Sequence, residues 1–120
     1  MAKVTVHVGF GDEDRSYERF IEMWHRAERG EAIEPEVHLT YPDFETLFRV
    51  LTPRRMELLR ALRQRGPSSV RALATGLERD YKNVHGDVAA LEEEGLILRT
   101  EEGLIEAPWD GIDAHYSLVA

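Results

Sequence analysis

Asp80-Tyr81-Lys82-Asn83-Val84-His85-Gly86-Asp87-Val88-Ala89-Ala90-Leu91-Glu92-Glu93-Glu94-Gly95-Leu96-Ile97 is the stretch on which the fold turns. Asp80 can cap a helix, because its side chain accepts from the first free backbone donors. Val84, Val88 and Leu91 then recur at helical spacing on one side only, and Gly95 supplies a stop. The opposite edge holds Tyr81, Lys82, Asn83 and His85, none of which a core requires. The spacing therefore predicts a helix anchored along one stripe, with a polar edge left to protrude.

The segments on either side extend this pattern. Ser68 or Ser69 can cap a short helix whose inner side is Val70, Leu73, Ala74 and Leu77. Ala74 is small where two helices would cross, and Glu78-Arg79-Asp80 is a tight connection. Further upstream, Thr52-Pro53 joins a capping side chain to a proline at the one helical position that needs no donor. Met56, Leu58, Leu59 and Leu62 form the inner side of that helix, and Gly66-Pro67 ends it. Downstream, residues 96–100 and 104–107 read as two short strands about Glu101-Glu102-Gly103. Residues 52–107 thus read helix, turn, helix, turn, helix, hairpin.

The outer segments read differently. Val4, Val6 and Val8 alternate with Thr5 and His7, the period of a half-buried strand. Gly9 and Gly11 break it, and Asp12 can cap a helix with Tyr17, Phe20, Ile21 and Trp24 on one face and Gly30 as a stop. A loop containing Pro35 leads to a second alternating run, Val37, Leu39 and Tyr41. Strand, helix and strand in that order suit a parallel crossover, although sequence order alone does not fix pairing. Phe44, Leu47, Phe48 and Leu51 form an apolar stripe on a short helix after Pro42-Asp43. Ile112, Ala114, Tyr116 and Leu118 give a last strand. The expected fold class is α+β: a winged helix-turn-helix domain at 52–107, a strand-helix-strand region at 1–51 expected to serve dimerisation, and a C-terminal strand at 108–120.

Composition narrows the function. The chain has 120 residues, about one domain, and no cysteine, which excludes disulfides, zinc ribbons and thiolate nucleophiles and suits a reducing cytoplasm. No apolar run spans a bilayer, and no h-region of a signal peptide is present, so no membrane association is expected. The net charge of −8 is unevenly spread. Residues 1–51 carry 6 Lys and Arg against 11 Asp and Glu, and residues 101–120 carry none against 5. Residues 52–100 carry 9 against 7 and are the only segment with a positive balance. Positive charge gathered between acidic flanks suits a surface that faces phosphates.

The run Leu73-Ala74, Leu77, Val84, Val88, Leu91-Glu92-Glu93, Gly95-Leu96-Ile97 resembles winged-helix transcription factors of the MarR-like and ArsR-like kind. A closer resemblance rests on Leu51-Thr52-Pro53-Arg54-Arg55, Leu58-Leu59-Arg60-Ala61-Leu62, Arg79-Asp80-Tyr81-Lys82-Asn83-Val84-His85 and Pro108-Trp109-Asp110. These look like a family of small prokaryotic proteins regarded as DNA-binding regulators, often found as the antitoxin beside TumE-type toxins. That resemblance implies a cytoplasmic homodimer that represses its own operon, with double-stranded DNA and a toxin as partners. It covers the whole chain in layout and is strongest over residues 51–110. The chain departs from the family at Gly86, where an Arg is usual, and an acidic hairpin tip, Glu101-Glu102, should be repelled by phosphates.

On this reading Tyr81, Lys82, Asn83 and His85 lie where side chains reach base edges in a major groove about 12 Å wide. Asn83 can pair bidentately with adenine, and Lys82 can approach guanine or a phosphate. Ser69 and Arg71 begin a helix whose free donors favour a phosphate oxygen. Arg54, Arg55 and Arg99 are further candidate phosphate contacts. Tyr17, Phe20 and Trp24 are either core or a surface for a twin subunit or another partner. The alternative function is a protein-interaction module that neutralises a basic partner such as a toxin, with weak or no DNA binding.

An enzyme is not expected. There is no glycine-rich phosphate loop and no serine elbow. Asp12/Asp14 and Glu92/Glu93/Glu94 read as helix starts and solvated faces. No cofactor is expected. His7, His38 and His115 fall on outward phases of strands and could meet on one sheet face, but solvent-facing residues rather than metal ligands are expected there.

Overall fold

The capping residues read from the sequence set the helix boundaries. In the computed structural model, which describes residues 2–9, 15–31 and 36–119, the side chains of 15–19 apart, ten elements follow one another. They are β1 (Lys3–Val8), α1 (Arg15–Glu28), β2 (Glu36–Tyr41), α2 (Phe44–Val50), α3 (Pro53–Arg65), α4 (Val70–Leu77), α5 (Tyr81–Glu93), β3 (Leu98–Arg99), β4 (Ile105–Glu106) and β5 (Gly111–Tyr116). Asp12, proposed as the cap of α1, and Pro35, placed in a loop, lie outside the described residues.

Thr52 accepts from the Arg55 amide at 3.2 Å, and Pro53 takes the first turn of α3. Ser69, not Ser68, caps α4, accepting from the Ala72 amide at 3.0 Å. Ser68 instead exchanges both backbone hydrogen bonds with Ile105, at 3.0 and 2.9 Å. The hairpin of β3 and β4 is thereby tied to the α3–α4 connection. Asp80 caps α5 through the Lys82 amide at 2.9 Å. At the far end Gly95 adopts φ 81°, and the Leu96 amide returns to the Leu91 carbonyl at 2.9 Å. This left-handed ending points the chain back to the core, where Leu96 and Ile97 are buried.

The sheet is a parallel three-stranded one in the order β2-β1-β5. Its register sets Val4 between Val37 and Ile112, Val6 between Leu39 and Ala114, and Val8 between Tyr41 and Tyr116. Since side chains alternate across a strand, these residues share one face. That face meets the helical core, and Val4, Val6 and Val8 are buried there with Leu47, Leu51, Leu58, Leu62, Leu73, Val84, Val88 and Leu91. The strand-helix-strand order is thus a parallel crossover unit, and the C-terminal strand completes its sheet. The molecule is a flat slab of 43 × 37 × 18 Å. Among the described residues no helix is long and apolar enough to cross a membrane.

Three expectations need correction. Met56 was assigned to the inner side of α3 but is exposed, and Leu58, Leu59 and Leu62 do the packing. Phe44 and Phe48 were placed on the buried stripe of α2, yet only Leu47 and Leu51 are buried. The short helix lies at the sheet's end, and its aromatic pair runs out beside Tyr116, with Phe44 5.5 Å from that ring. His7 was expected to face solvent. It is 8% exposed, and its Nε2 lies 3.2 Å from Nδ1 of His38. His7 is also the register partner of His115, so the three histidines do share a face. Among the described residues no group of three or more His, Asp or Glu is disposed to hold a metal.

Trp109 locks the hairpin end to the rest. Its ring is buried, and Nε1 donates to the Leu96 carbonyl at 2.8 Å. Arg63 holds the following turn through the Trp109 carbonyl at 3.1 Å and the Asp110 carboxylate at 2.8 Å. The Asp110 amide then donates to the Ala2 carbonyl at 2.7 Å, which starts β5 beside β1. Trp109→Phe keeps an aromatic ring but a smaller one, and leaves the Leu96 carbonyl without its donor. Urea unfolding should show a loss of about 1–3 kcal/mol; an unchanged midpoint would refute this role.

Candidate nucleic-acid interface

The helix α5 is fixed by burial on one side. Val84, Val88 and Leu91 are all but inaccessible, and each buried side chain of this size is worth about 1.5–3 kcal/mol. Ala74 is buried on α4, and α4 packs against α5. Glu78, at φ 54°, takes the left-handed conformation that ends α4, and its amide reaches back to the Thr75 carbonyl at 3.1 Å. With the connection so short, α5 leaves α4 at a fixed angle. Tyr81, Lys82, Asn83 and His85 all lie exposed on the resulting edge. Neither the core nor the acidic C-terminal segment covers them.

That edge is partly pre-organised. The Tyr81 ring lies 5.8 Å from His85, and the Arg71 guanidinium sits 4.7 Å above the Tyr81 ring. A cation over an aromatic face is worth about 0.5–1 kcal/mol at an exposed site. The contact joins the first turn of α4 to the first turn of α5. One open groove, lined by Arg65, Ser69, Arg71, Ala72 and Thr75, lies at the start of α4. A second, lined by Thr52, Pro53, Arg54, Arg55, Arg79, Asn83 and the acidic Asp87, lies between the start of α3 and α5. The two helix starts differ electrically. Asp80 places a carboxylate on α5's first donors, so an anion is disfavoured there. Ser69 is a neutral cap, so the positive end of α4 remains attractive to one.

The sequence-predicted cations fall into two groups. Arg54 and Arg71 are exposed, and each lines one of the two grooves. Arg55 and Arg99 are engaged within the chain. Arg55 Nε donates to Asp87 at 3.2 Å and Nη1 to the Val50 carbonyl at 3.0 Å. Arg99 grips both carboxylate oxygens of Glu92, at 3.0 to 3.2 Å, and donates to the Gly103 carbonyl at 3.2 Å. The Glu92 carboxylate thereby offsets much of the charge that Arg99 could offer a phosphate. Of the partner-surface residues, Phe20 and Trp24 are exposed at 64% and 58%, so they are not core. The side chain of Tyr17 lies outside the described residues.

Sequence reasoning missed Asp87 and Arg79. Asp87 accepts from Arg79 at 2.8 Å and from Arg55 at 3.2 Å, all three side chains being largely buried. Burial pushes the Asp87 carboxyl upward, but hydrogen bonds from Arg79 and Arg55 outweigh it and hold it below the usual aspartate range. Arg79 Nε and Nη1 are buried and, among the described residues, lack hydrogen-bond partners. The clamp binds the start of α3, the α4–α5 turn and the middle of α5 together. The signal for it was the pair Arg55 and Asp87, both set on inward phases otherwise filled by apolar residues.

A family model, HVO_A0114, matches residues 50–114, which is more than half of the chain, so the chain belongs to that family. No curated protein and no solved structure matches it. The matched span takes in α3, α4, α5, the hairpin and most of β5.

Two outcomes follow from this geometry. Asp87→Asn should cost about 1–3 kcal/mol in urea unfolding, since it leaves two guanidinium groups with a neutral partner. Because the folded carboxyl is depressed, its contribution is complete above the unfolded value of about 4. It is lost as pH falls through the lower folded value, so parent and variant should converge only in strong acid. A gap of constant size down to low pH would contradict the clamp. At Gly86 a Cβ meets nothing within 4 Å. Gly86→Ala should therefore raise stability by about 1 kcal/mol, visible as a higher Tm.

Proposed function

We propose that this member of the HVO_A0114 family is a sequence-specific double-stranded DNA-binding regulator with a winged helix-turn-helix domain, acting as a dimeric repressor of its own operon. The observation that carries the reading is α5. Its apolar stripe is wholly spent on the core, while Tyr81, Lys82, Asn83 and His85 stand exposed at its beginning. An exposed edge of that composition is suited to base edges: Asn83 to adenine, Lys82 to guanine or a phosphate. The grooves on either side carry Arg54 and Arg71 where a duplex backbone would pass. The hairpin β3–β4 corresponds to a wing in this reading. Its acidic tip, and the occupation of Arg99 by Glu92, make it a weak contributor to phosphate binding. Affinity then rests on α4, α5 and the start of α3, and a dimer supplies the second half-site about 34 Å away.

A second reading is favoured by α1. Phe20 and Trp24 are exposed on a helix of which no described side chain joins the core. Aromatic groups so placed suit a protein partner, and a basic toxin-like protein would also be drawn to the acidic N-terminal third. The two readings are compatible, as DNA and a protein would engage different faces.

The reading is tested by Lys82→Ala with Asn83→Ala in a gel-shift series against the protein's own upstream region. The double variant should bind at least about 30-fold more weakly with the parent's Tm, since two base contacts at about 1–3 kcal/mol each sum to about 2 kcal/mol or more. The parent's log affinity should fall with log salt by about 0.9 per phosphate neutralised. Binding by the double variant equal to the parent's would overturn the assignment of the reading edge. No salt-dependent binding by the parent would leave the protein-partner reading in its place.

A further inference from the structure

We infer that β5 is the homodimer surface, pairing antiparallel with β5 of a second copy to make one continuous six-stranded sheet. This deepens the dimeric part of the function proposed above by assigning it a surface.

The strand is an open edge. All six residues from Gly111 to Tyr116 are exposed, and among the described residues only one side of the strand is paired, with β1. The other edge strand, β2, is less exposed, with only Glu36 and Thr40 fully open and Tyr41 buried. Exposed edges in monomeric proteins are blunted by lysine, proline or bulges. β5 contains no lysine or proline, and its register with β1 runs unbroken over its length.

The sequence of β5 is also complementary to itself. A two-fold axis through Ala114 sets Ala114 against Ala114 of the partner subunit, Ile112 against the partner's Tyr116, and Asp113 against the partner's His115. The first two pairings fall on the apolar face and the third on the polar one. An aromatic residue opposite a β-branched one, and an acid opposite a base, are the favourable cross-strand pairs. Other registers lose this. Centring on Asp113 opposes two carboxylates, and a shift of one residue sets the apolar face of one copy against the polar face of the other.

An apolar surface leads up to the same edge. Phe48, at 60% exposure, stacks on Phe44, and Phe44 touches Tyr116, itself 54% exposed. In the proposed register the partner's Ile112 lands on Tyr116 at the end of this ladder. Lys3 Nζ lies 3.2 Å from the Asp113 carboxylate and leaves room for a second ion pair on it, since Asp113 is well exposed. The surface therefore fits a second copy by hydrogen bonding, by apolar contact and by charge.

The absence of cysteine makes the register directly testable. Single variants Ala114→Cys, Ile112→Cys and Tyr116→Cys are oxidised mildly and resolved on a non-reducing gel. Residues directly opposite place their Cβ atoms about 4.5–5.5 Å apart and diagonal ones about 7–8 Å. Ala114→Cys should cross-link to most of the material; the other two singly should not, and the Ile112→Cys, Tyr116→Cys double variant should. In sedimentation the parent should run at twice 13.8 kDa and Ala114→Lys at 13.8 kDa, with the parent's circular dichroism. A monomeric parent, a dimer that Ala114→Lys leaves intact, or Ile112→Cys cross-linking as well as Ala114→Cys would overturn the proposal. A protein that dimerises in this way but binds no DNA would remove the operator reading and leave this one standing.

Discussion

Burial of the Val84, Val88 and Leu91 stripe is the constraint from which the arrangement of the molecule follows. These side chains commit α5 to one orientation about its own axis. Once that orientation is fixed, every residue on the opposite edge must face outward, and the helix start must sit where the short α4–α5 connection allows. The hairpin is positioned by the same event, because Leu96 and Ile97 follow directly from the left-handed turn at Gly95. Trp109 and the Ser68 bridge then hold the hairpin down from either side.

Charge is divided along the same lines. Three of the exposed cations, Arg54, Arg71 and Lys82, lie around the start of α5 and its two grooves. Those that are paired, Arg55, Arg79 and Arg99, hold helices and hairpin in place. A net charge of −8 is therefore compatible with a locally positive surface, since the acidic excess belongs to residues 1–51 and 101–120. On the proposed reading the acidic segments favour orientation: they discourage the duplex from any face but one.

Much of the fold was legible because the relevant signals are local. Capping by Thr52 and Asp80, the stop at Gly95 and the valine alternation in β1 each act over a few residues, and each stands as read. The errors concern positions where a distant element decides. Met56, Phe44 and Phe48 obey helical spacing, yet they stay exposed because no other described element packs over them closely enough to bury them. His7 obeys strand alternation, yet a neighbouring histidine and burial await it on the polar face. At the candidate site the exposed edge of α5 could be read directly. The Arg55–Asp87–Arg79 clamp left only the inward phases of Arg55 and Asp87 as a trace, because its members are 32 and 8 residues apart and no spacing rule joins them. Pairing of the first and last strands was equally hidden, since order along a chain does not dictate which strand becomes central.

That central position of β1 has a consequence for how the protein is made. Val4, Val6 and Val8 are synthesised well before residues 111–116, which form one of the two neighbours of their strand. The three helices and the hairpin, whose contacts are more local, can assemble in the meantime. The nascent chain therefore carries an unclosed, sticky valine strand until β5 has been made, which is the interval in which a chaperone would be of most use to it.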